Sequence, residues 1–537
     1  MMKAFKIFSM AAVAFMMVAC SSEDEALDNT PVAGRKVHFT ATIAAPGSDA
    51  STRTTYTEVT SGTDAGKIKV AWEQGDEIAL IHNGTKDVVT VQTLNADGSA
   101  NISGDITVGT DGEAVTIVYP AASVDAPTSG AEPVDNATYV AKWNSQDGTL
   151  TYIQDYLDFC RATSTLKVSG TNATLNDNIA LKSNIAIVKF SLTDGTNAIN
   201  ASKFFIMDGS NNVVTTVTPT SANSELYVAM QPATTSTFRF VATDGTSGYT
   251  YTKTGATIEK GKFYQSEISL TTGIFYLDKT WNGTAVTSIP SVAESGTYSV
   301  VSDANLNWAA GTYVVTDNVT ITGYVTLTGD SKLILCNGKT LTVNGALCGG
   351  IYGGSYYALS IYGQSDEAST RGILNVKSQY FSETNVYKPA MGYFSTLDIY
   401  GGDITSEFNI NDLNYMGILS SPINVYGGKL NVKHTANYGS GINNGIHGGN
   451  ITIYDGDVVV SKCNKNGYGI RTNGTLIVNG GKLLVSSPDT YAINGNFKTG
   501  TGISYWESAT GTDDSWGDAK TAPNGATSSA KYVKFEK

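Results

Sequence analysis

The feature that most constrains this chain is a repeat in its second half. Leu397-Asp398-Ile399-Tyr400-Gly401-Gly402-Asp403-Ile404 aligns with Ile423-Asn424-Val425-Tyr426-Gly427-Gly428-Lys429-Leu430. Two more copies start at Ile451 and Leu476, so successive starts are 26, 28 and 25 residues apart, and degenerate copies begin at Leu341 and Leu359. Between copies lies a second signature, seen at Tyr468-Gly469-Ile470 and Tyr491-Ala492-Ile493. A period of roughly 20 to 30 residues with short strands and glycine corners predicts a solenoid. Three strands of about five residues with their corners fill one coil, which gives a parallel β-helix over 280–500 with coils stacked at roughly 4.8 Å. The crossover rule makes it right-handed. No helical period supports a leucine-rich repeat, and a β-propeller, with blades of about 40 residues, is the rival architecture.

Strand alternation decides which side chains meet. The aliphatic residues at the first and third positions of each copy point inward, so their neighbours point out. Tyr400, Tyr426 and Tyr454 then form an outward column, extended by Tyr362, and Asp403, Lys429, Asp457 and Lys482 form a second column of alternating sign. The tyrosines have two readings: rings stacked on one another to cover the coil edges, or a platform on which a glycan lays its C–H faces. This half resembles the β-helical carbohydrate-binding domains related to pectate-lyase-like folds, over about 220 residues and at the level of fold.

A β-helical lyase needs a calcium-binding carboxylate cluster beside an Arg or Lys base. Arg371, Arg471, Lys462, Asp455 and Asp457 are its only candidate ingredients, and they form no clustered acidic motif. The four histidines have no metalloprotease spacing, and there is no nucleophile elbow or P-loop. The expectation is therefore a protein that binds or assembles, with no catalytic residue, cofactor or metal. Asp455-Gly456-Asp457, on a corner, leaves calcium open.

The first half reads as short alternating strands, such as 37–43, 67–72, 77–81, 186–192, 237–241 and 263–268, in a chain with 29 Tyr, 56 Gly and only 15% charged residues. Period-two alternation gives each strand one buried and one wet face, and the expected fold is all-β: two tandem β-sandwiches at 36–172 and 173–271, then the β-helix. Phe39-Thr40-Ala41, Thr52-Arg53-Thr54 and the element Trp72-Glu73-Gln74-Gly75-Asp76-Glu77-Ile78 resemble the fimbrillin family of pilus subunits, over about 235 residues from 36 to 270. By itself the tryptophan element reads as a core ring followed by a tight turn. The resemblance implies transthyretin-like sandwiches and assembly with other fimbrial subunits by donor-strand exchange. A protease cuts after an arginine, the first strand leaves, and a neighbour's strand fills the groove. Arg53 is the candidate cut site and Arg35 the second.

At the N-terminus, Lys3 and Lys6 precede an apolar run from Ile7 to Ala19, too short for a permanent span. This reads as a signal peptide, 1–19, ending at Cys20, which stands where a lipoprotein cysteine receives diacylglycerol. Acyl chains at roughly 0.8 kcal/mol per buried methylene then hold the chain at a membrane. Residues 20–35 form a linker whose Ser21-Ser22-Glu23-Asp24-Glu25 resembles the acidic tag that sends lipoproteins to the outside of the outer membrane. The net charge of −13 leaves no basic footprint for nucleic acid. Cys160, Cys336, Cys348 and Cys463 contain no C-x-x-C pair, and buried free thiols are expected. Residues 501–537, with Trp506, Trp516 and a final strand-like run, form a cap or tail. The expected role is a lipid-anchored fimbrial tip or accessory adhesin with a glycan-binding β-helix. The alternative is a non-polymerising outer-membrane surface lipoprotein that binds polysaccharide.

Overall fold

Alternation is visible at once in the strand Lys36–Ile43, where Val37, Phe39 and Ile43 are buried between exposed or half-buried neighbours. The computed structural model describes residues 34–45, 55–62, 66–107, 110–125, 136–345, 349–354, 356–379, 389–409, 416–435, 443–461, 467–510 and 516–537. Cys20, Arg53, Lys462, Cys348 and Cys463, with the whole of 1–33, lie outside the described residues. Cys160 and Cys336 are buried and form no disulfide, and burial pushes the Cys336 thiol up to about 11.

Lys36–Ile43 pairs antiparallel with Ala100–Thr107 along all eight residues and parallel with Asn172–Leu175 on its other edge. The sheet continues through Thr85–Leu94, Glu77–His82 and Ala114–Tyr119 to Cys160–Ser169, which pairs back onto Asn172–Leu175. Seven strands thus close into a barrel around Phe39, Trp72, Leu80, Ile102 and Ile117, where an open two-layer sandwich was expected. Closure removes the sheet edges that a sandwich leaves unpaired. The tryptophan element behaves as its local chemistry requires. Trp72 meets Tyr119 edge to face at 5.4 Å, and Asp76 accepts from the Glu73 amide at 2.8 Å to fix the turn.

Two short helices, Ala137–Asn144 and Leu150–Tyr156, interrupt the β-structure, each started by a side-chain cap from Asn136 or Thr149. They pack Tyr139, Trp143 and Ile153 between the barrel and the next layer, against Ile81, Ile187 and Ala229. That layer is a two-sheet sandwich. Ala186–Thr193 lies between Glu225–Met230 and Phe263–Ser269, facing Lys203–Asp208, Val213–Val217, Ala233–Thr243 and Ser247–Ile258. Phe190, Phe204 and Phe240 interlock between the sheets at centroid distances of 5.3 to 5.8 Å.

Thr271–Trp281 begins as a strand of this sandwich, paired with Ser247–Ile258, and ends as one arm of a hairpin with Val286–Glu294. Beyond it, among the described residues, three parallel ladders rise together. The first carries Gly311–Val315, Ser331–Leu335, Leu359–Gly363, Leu397–Ile399, Ile423–Val425 and Ile451–Ile453. The second carries Val319–Thr322, Thr340–Gly345, Ile373–Gln379, Asp403–Asn409, Lys429–His434, Asp457–Ser461 and Lys482–Ser486. The third carries Val325–Leu327, Ile351–Tyr352, Met391–Phe394, Met416–Ser420 and Asn444–Gly448. Ile470–Val478 contributes its first half to the third ladder and its second half to the first. Leu397, Ile399, Ile423, Val425, Ile451, Ile453, Leu476 and Val478 all face one continuous buried core.

The register explains the uneven repeat length. In the four copies of the repeat the inward residues of the first and second ladders are five apart, Ile399 to Ile404, Val425 to Leu430, Ile453 to Val458 and Val478 to Leu483, whereas lower rungs take six (Leu335 to Leu341) or thirteen (Ile361 to Leu374). In the same copies the return from third to first is five or six, as in Ile418 to Ile423 and Ile470 to Leu476. Between second and third ladders the spacing varies most, from fifteen (Val376 to Met391) to four (Ile321 to Val325). Leu341, expected as a degenerate start, belongs to the second ladder, where it pairs with Val319 and Leu374; the residue below Leu359 is Ser331. Both ladders share the same inward alternation, so the pattern alone does not say which wall a strand joins.

The five-residue corner needs glycine. Gly428 has φ +78, and a β-carbon there would lie 2.6 Å from the Gly402 carbonyl oxygen one rung below. The top of the stack is closed differently. Tyr532–Glu536 pairs antiparallel with Lys482–Ser486, and Ser504–Ser508 pairs outside it, burying Tyr505, Val533 and Phe535 over Phe497. Lys534 lies over the rings of Trp506 and Trp516 at 4.9 and 5.1 Å.

At Gly417 a β-carbon would sit 2.3 Å from Val432 Cγ1 and 2.8 Å from the Gly445 oxygen. Gly417→Ala should therefore destabilise the stack by about 1 to 3 kcal/mol, the cost of overpacking, read as a lower denaturation midpoint. An unchanged midpoint would mean that the ladders can spread to take the methyl group.

Candidate functional site

In the three-residue strands Leu397–Ile399, Ile423–Val425 and Ile451–Ile453 the middle residue and the residue after the end point away from the core, and in Leu359–Gly363 Tyr362 takes the equivalent place. The four expected tyrosines do so, and they stack. Ring centroids are 4.6 Å apart from Tyr362 to Tyr400, 4.8 Å from Tyr400 to Tyr426 and 4.7 Å from Tyr426 to Tyr454, with interplanar angles of 4°, 7° and 15°. That distance is the rung spacing of the ladder itself, so the strand geometry sets the stack. Each pair contributes about 0.5 to 1.5 kcal/mol beyond its buried area.

The column is closed at both ends. Tyr276 meets Tyr362 edge-on at 5.0 Å, and Trp281 covers Tyr454 at 5.4 Å, both rings coming from Thr271–Trp281. Leu277 of the same strand pairs with Gly363, and Gln364 Nε2 donates to the carbonyls of Phe275 and Thr246. Tyr362 is only 3% exposed. Ring faces within the column are taken by neighbouring rings, so Tyr400, Tyr426 and Tyr454, each half-buried, present ring edges to solvent, and the stacked reading of the column accounts for its geometry. The column fastens the strand leaving the sandwich to the side of the stack. Tyr276 and Trp281, the rings that close it, were passed over in the sequence because they stand outside the repeat.

Below the column, Lys279 is buried with its ammonium 2.5 Å from Asp366 Oδ1. The pair opens onto a cleft of about 810 Å³ at the glycine corner, lined also by Arg371, Asp455, Asp457 and Lys482. Three of the residues considered for a lyase therefore share one cleft, although the Arg371 guanidinium is engaged by the Asp366 carbonyl oxygen at 2.7 Å. Arg471 lies elsewhere, beside His447 on the third ladder. Burial, then the charge of Arg471, hold the His447 imidazole below its ordinary value. Among the described residues no group of three His, Cys, Asp or Glu is placed to hold a metal ion. Asp403, Lys429, Asp457 and Lys482 stand opposite one another on successive rungs, as their sequence spacing predicts.

At the other end of the molecule, Arg35 is exposed and donates to the Gly170 oxygen, immediately before the strand Lys36–Ile43. That strand is held on both edges and drives Phe39 and Ile43 fully into the barrel. In sequence Arg35 precedes this strand and Arg53 follows it.

No family model matches this chain, and no curated protein matches it. Among solved structures, a fimbrial protein from Bacteroides ovatus is 15% identical, with 44% of this chain and 49% of that one covered at a TM-score of 0.24. This chain thus spans about half the length of that protein. A fimbrial assembly protein from Parabacteroides distasonis is 11% identical over 48% of this chain and 96% of that one, at 0.24. A cell-adhesion protein from Bacteroides eggerthii is 15% identical over 49% and 97%, at 0.25.

Burial, ahead of nearby charges, raises the phenols of Tyr362 and Tyr400 far above their ordinary value and that of Tyr426 to about 12. An unfolded tyrosine ionises near 10. A raised phenol contributes stability that is complete below about pH 10 and is lost as pH rises through its folded value. Spectrophotometric titration should show the column tyrosines still protonated when exposed ones have ionised, with stability falling from about pH 10 to pH 12. Tyr426→Ala, which removes two stacks, should cost about 3 kcal/mol and make the remaining column tyrosines ionise earlier.

Proposed function

We propose that this chain is a cell-surface fimbrial tip or accessory adhesin, whose barrel exchanges its first strand for one from a neighbouring fimbrial subunit. The carrying observation is the placement of Lys36–Ile43. With the strand gone, Ala100–Thr107 and Asn172–Leu175 would face each other across a gap with unpaired backbone on both sides and an apolar floor. Such a gap binds an extended segment by main-chain hydrogen bonds and alternate side-chain pockets. It is too costly to stay empty, since the lost burial of Val37, Phe39 and Ile43 is worth about 1.5 to 3 kcal/mol for each side chain.

In this reading Cys20 carries the lipid that holds the chain on the outer membrane, and Arg53 is the processing site. The three ladders are the coils of a right-handed parallel β-helix projecting from the sandwich. Five-residue corners at fixed glycines support that architecture, because they bring the chain back one rung higher each time. A stack of this length beyond the sandwich suits a terminal position better than a place inside a shaft, and the role is non-catalytic.

The test is N-terminal sequencing of the protein from sheared surface fibres and from outer membranes. A start at Thr54 in the fibre fraction is expected, and Arg53→Ala should keep the chain out of fibres while leaving it in membranes. Protein found only in membranes, starting at lipidated Cys20, would replace this reading with an anchored polysaccharide-binding lipoprotein. The fully paired first strand is what that unprocessed form would need.

A further inference from the structure

The third ladder breaks its register once in a way that its neighbours do not. Met391 pairs with Ile418 and Gly392 with Leu419, but Phe394, not Tyr393, pairs with Ser420. Tyr393 is the extra residue of a β-bulge, and its φ is +58. A left-handed residue in such a bulge is ordinarily glycine. A bulky ring there costs of order 1 to 3 kcal/mol and persists where the surroundings, or a function, hold it. The bulge sends Phe394 into the core and turns Tyr393 outward, towards Tyr352 on the rung below, with ring centroids 5.3 Å apart and planes inclined by 59°.

A third ring completes the feature. Tyr356 is 80% exposed and Tyr352 37% exposed. Both approach Gly354, each 3.9 Å from where its β-carbon would lie. Unlike the tyrosines of the first ladder, these rings are not stacked face to face, and Tyr356 in particular is bare to solvent. Tyr352 ends the third-ladder strand Ile351–Tyr352, Tyr356 lies in the return to the first ladder, and Tyr393 stands in the next third-ladder strand, Met391–Phe394.

We propose that Tyr352, Tyr356 and Tyr393 form a binding site for a neutral oligosaccharide, which supplies the adhesin reading above with its ligand and rests on that reading for its setting. An aromatic face carries negative charge density, and the polarised C–H bonds on one side of a sugar ring lie favourably against it, while phenol hydroxyls exchange hydrogen bonds with sugar hydroxyls. Among the described residues, 349–354, 356–357 and 389–395 contain no Asp, Glu, Lys or Arg, so none of these pairs with a uronate or a sialic acid. Three rings also fall far short of the roughly 800 Å² per partner that a stable protein interface buries.

The test uses the intact chain on an array of neutral, uronate-containing and sialylated oligosaccharides, followed by calorimetry with the strongest binder. Neutral glycans should bind, and Tyr352→Ala, Tyr356→Ala and Tyr393→Gly should each weaken binding by about tenfold or more. Tyr393→Gly should do so with an unfolding midpoint that stays level or rises, because glycine relieves the backbone while the ring is lost. Binding confined to acidic glycans, no binding to any array member, or variants that bind as the parent does would each overturn the site. So would a fall in the midpoint with Tyr393→Gly, since the ring would then be structural. Fibre incorporation of the same variants separates the two readings. Tyrosine-dependent sugar binding by a chain absent from fibres leaves the site standing and removes the fimbrial role, and the converse result does the reverse.

Discussion

Register between successive rungs is the constraint on which the second half of this molecule depends. With a side-chain period of two, a slip of one residue would send Leu397, Ile423, Ile451 and Leu476 to solvent and the tyrosines into the core. Several independent contacts hold the register. The inward aliphatics fill one core, the corner glycines approach the carbonyls of the rung below, and the outward rings meet face to face. The same spacing that makes the ladder hydrogen bonds makes the ring stack, so backbone and side chains specify one alignment.

That alignment also fixes how the two halves of the chain meet. The tyrosine column is a row of identical seats, and Thr271–Trp281 docks along it by closing both ends with its own rings. Gln364 and the Lys279–Asp366 pair bind the strand further along, so apolar, polar and charged contacts all fall on one segment. Lys279 is buried while Asp366 is half-exposed, so losing Asp366 would leave a buried ammonium unpaired, and the contact penalises any other docking position.

Much of this was legible in the sequence because the repeat is strict where geometry is strict. The positions Leu397 to Ile404 and their copies gave inward and outward faces, the tyrosine stack and the alternating charges. What failed were questions that a period-two pattern does not encode. Leu341 carries the right alternation on the wrong ladder, and the closure of the first seven strands depends on Asn172–Leu175 meeting Lys36–Ile43 across most of the barrel sequence. The short helices were announced only by single caps at Asn136 and Thr149, which also occur in turns. The column points outward from the core, but a strand from elsewhere packs along it, burying Tyr362 and leaving Tyr400, Tyr426 and Tyr454 half-buried. Tyr352, Tyr356 and Tyr393 sit in an irregular stretch between repeats, and the left-handed backbone that sets Tyr393 apart has no sequence signature when the residue is not glycine.

The strand Thr271–Trp281 belongs to both bodies at once. Its first residues are hydrogen-bonded into the sandwich, and its last lie along the stack under two aromatic lids. No free linker separates the two, so tension applied between them has no slack to take up. A pull would load the ladder bonds and ring contacts along the strand together, in shear, instead of opening them one by one from an end. The joint is therefore built as a splice and not as a hinge: the stack is held at a set angle, and force on it passes directly into the core of the sandwich.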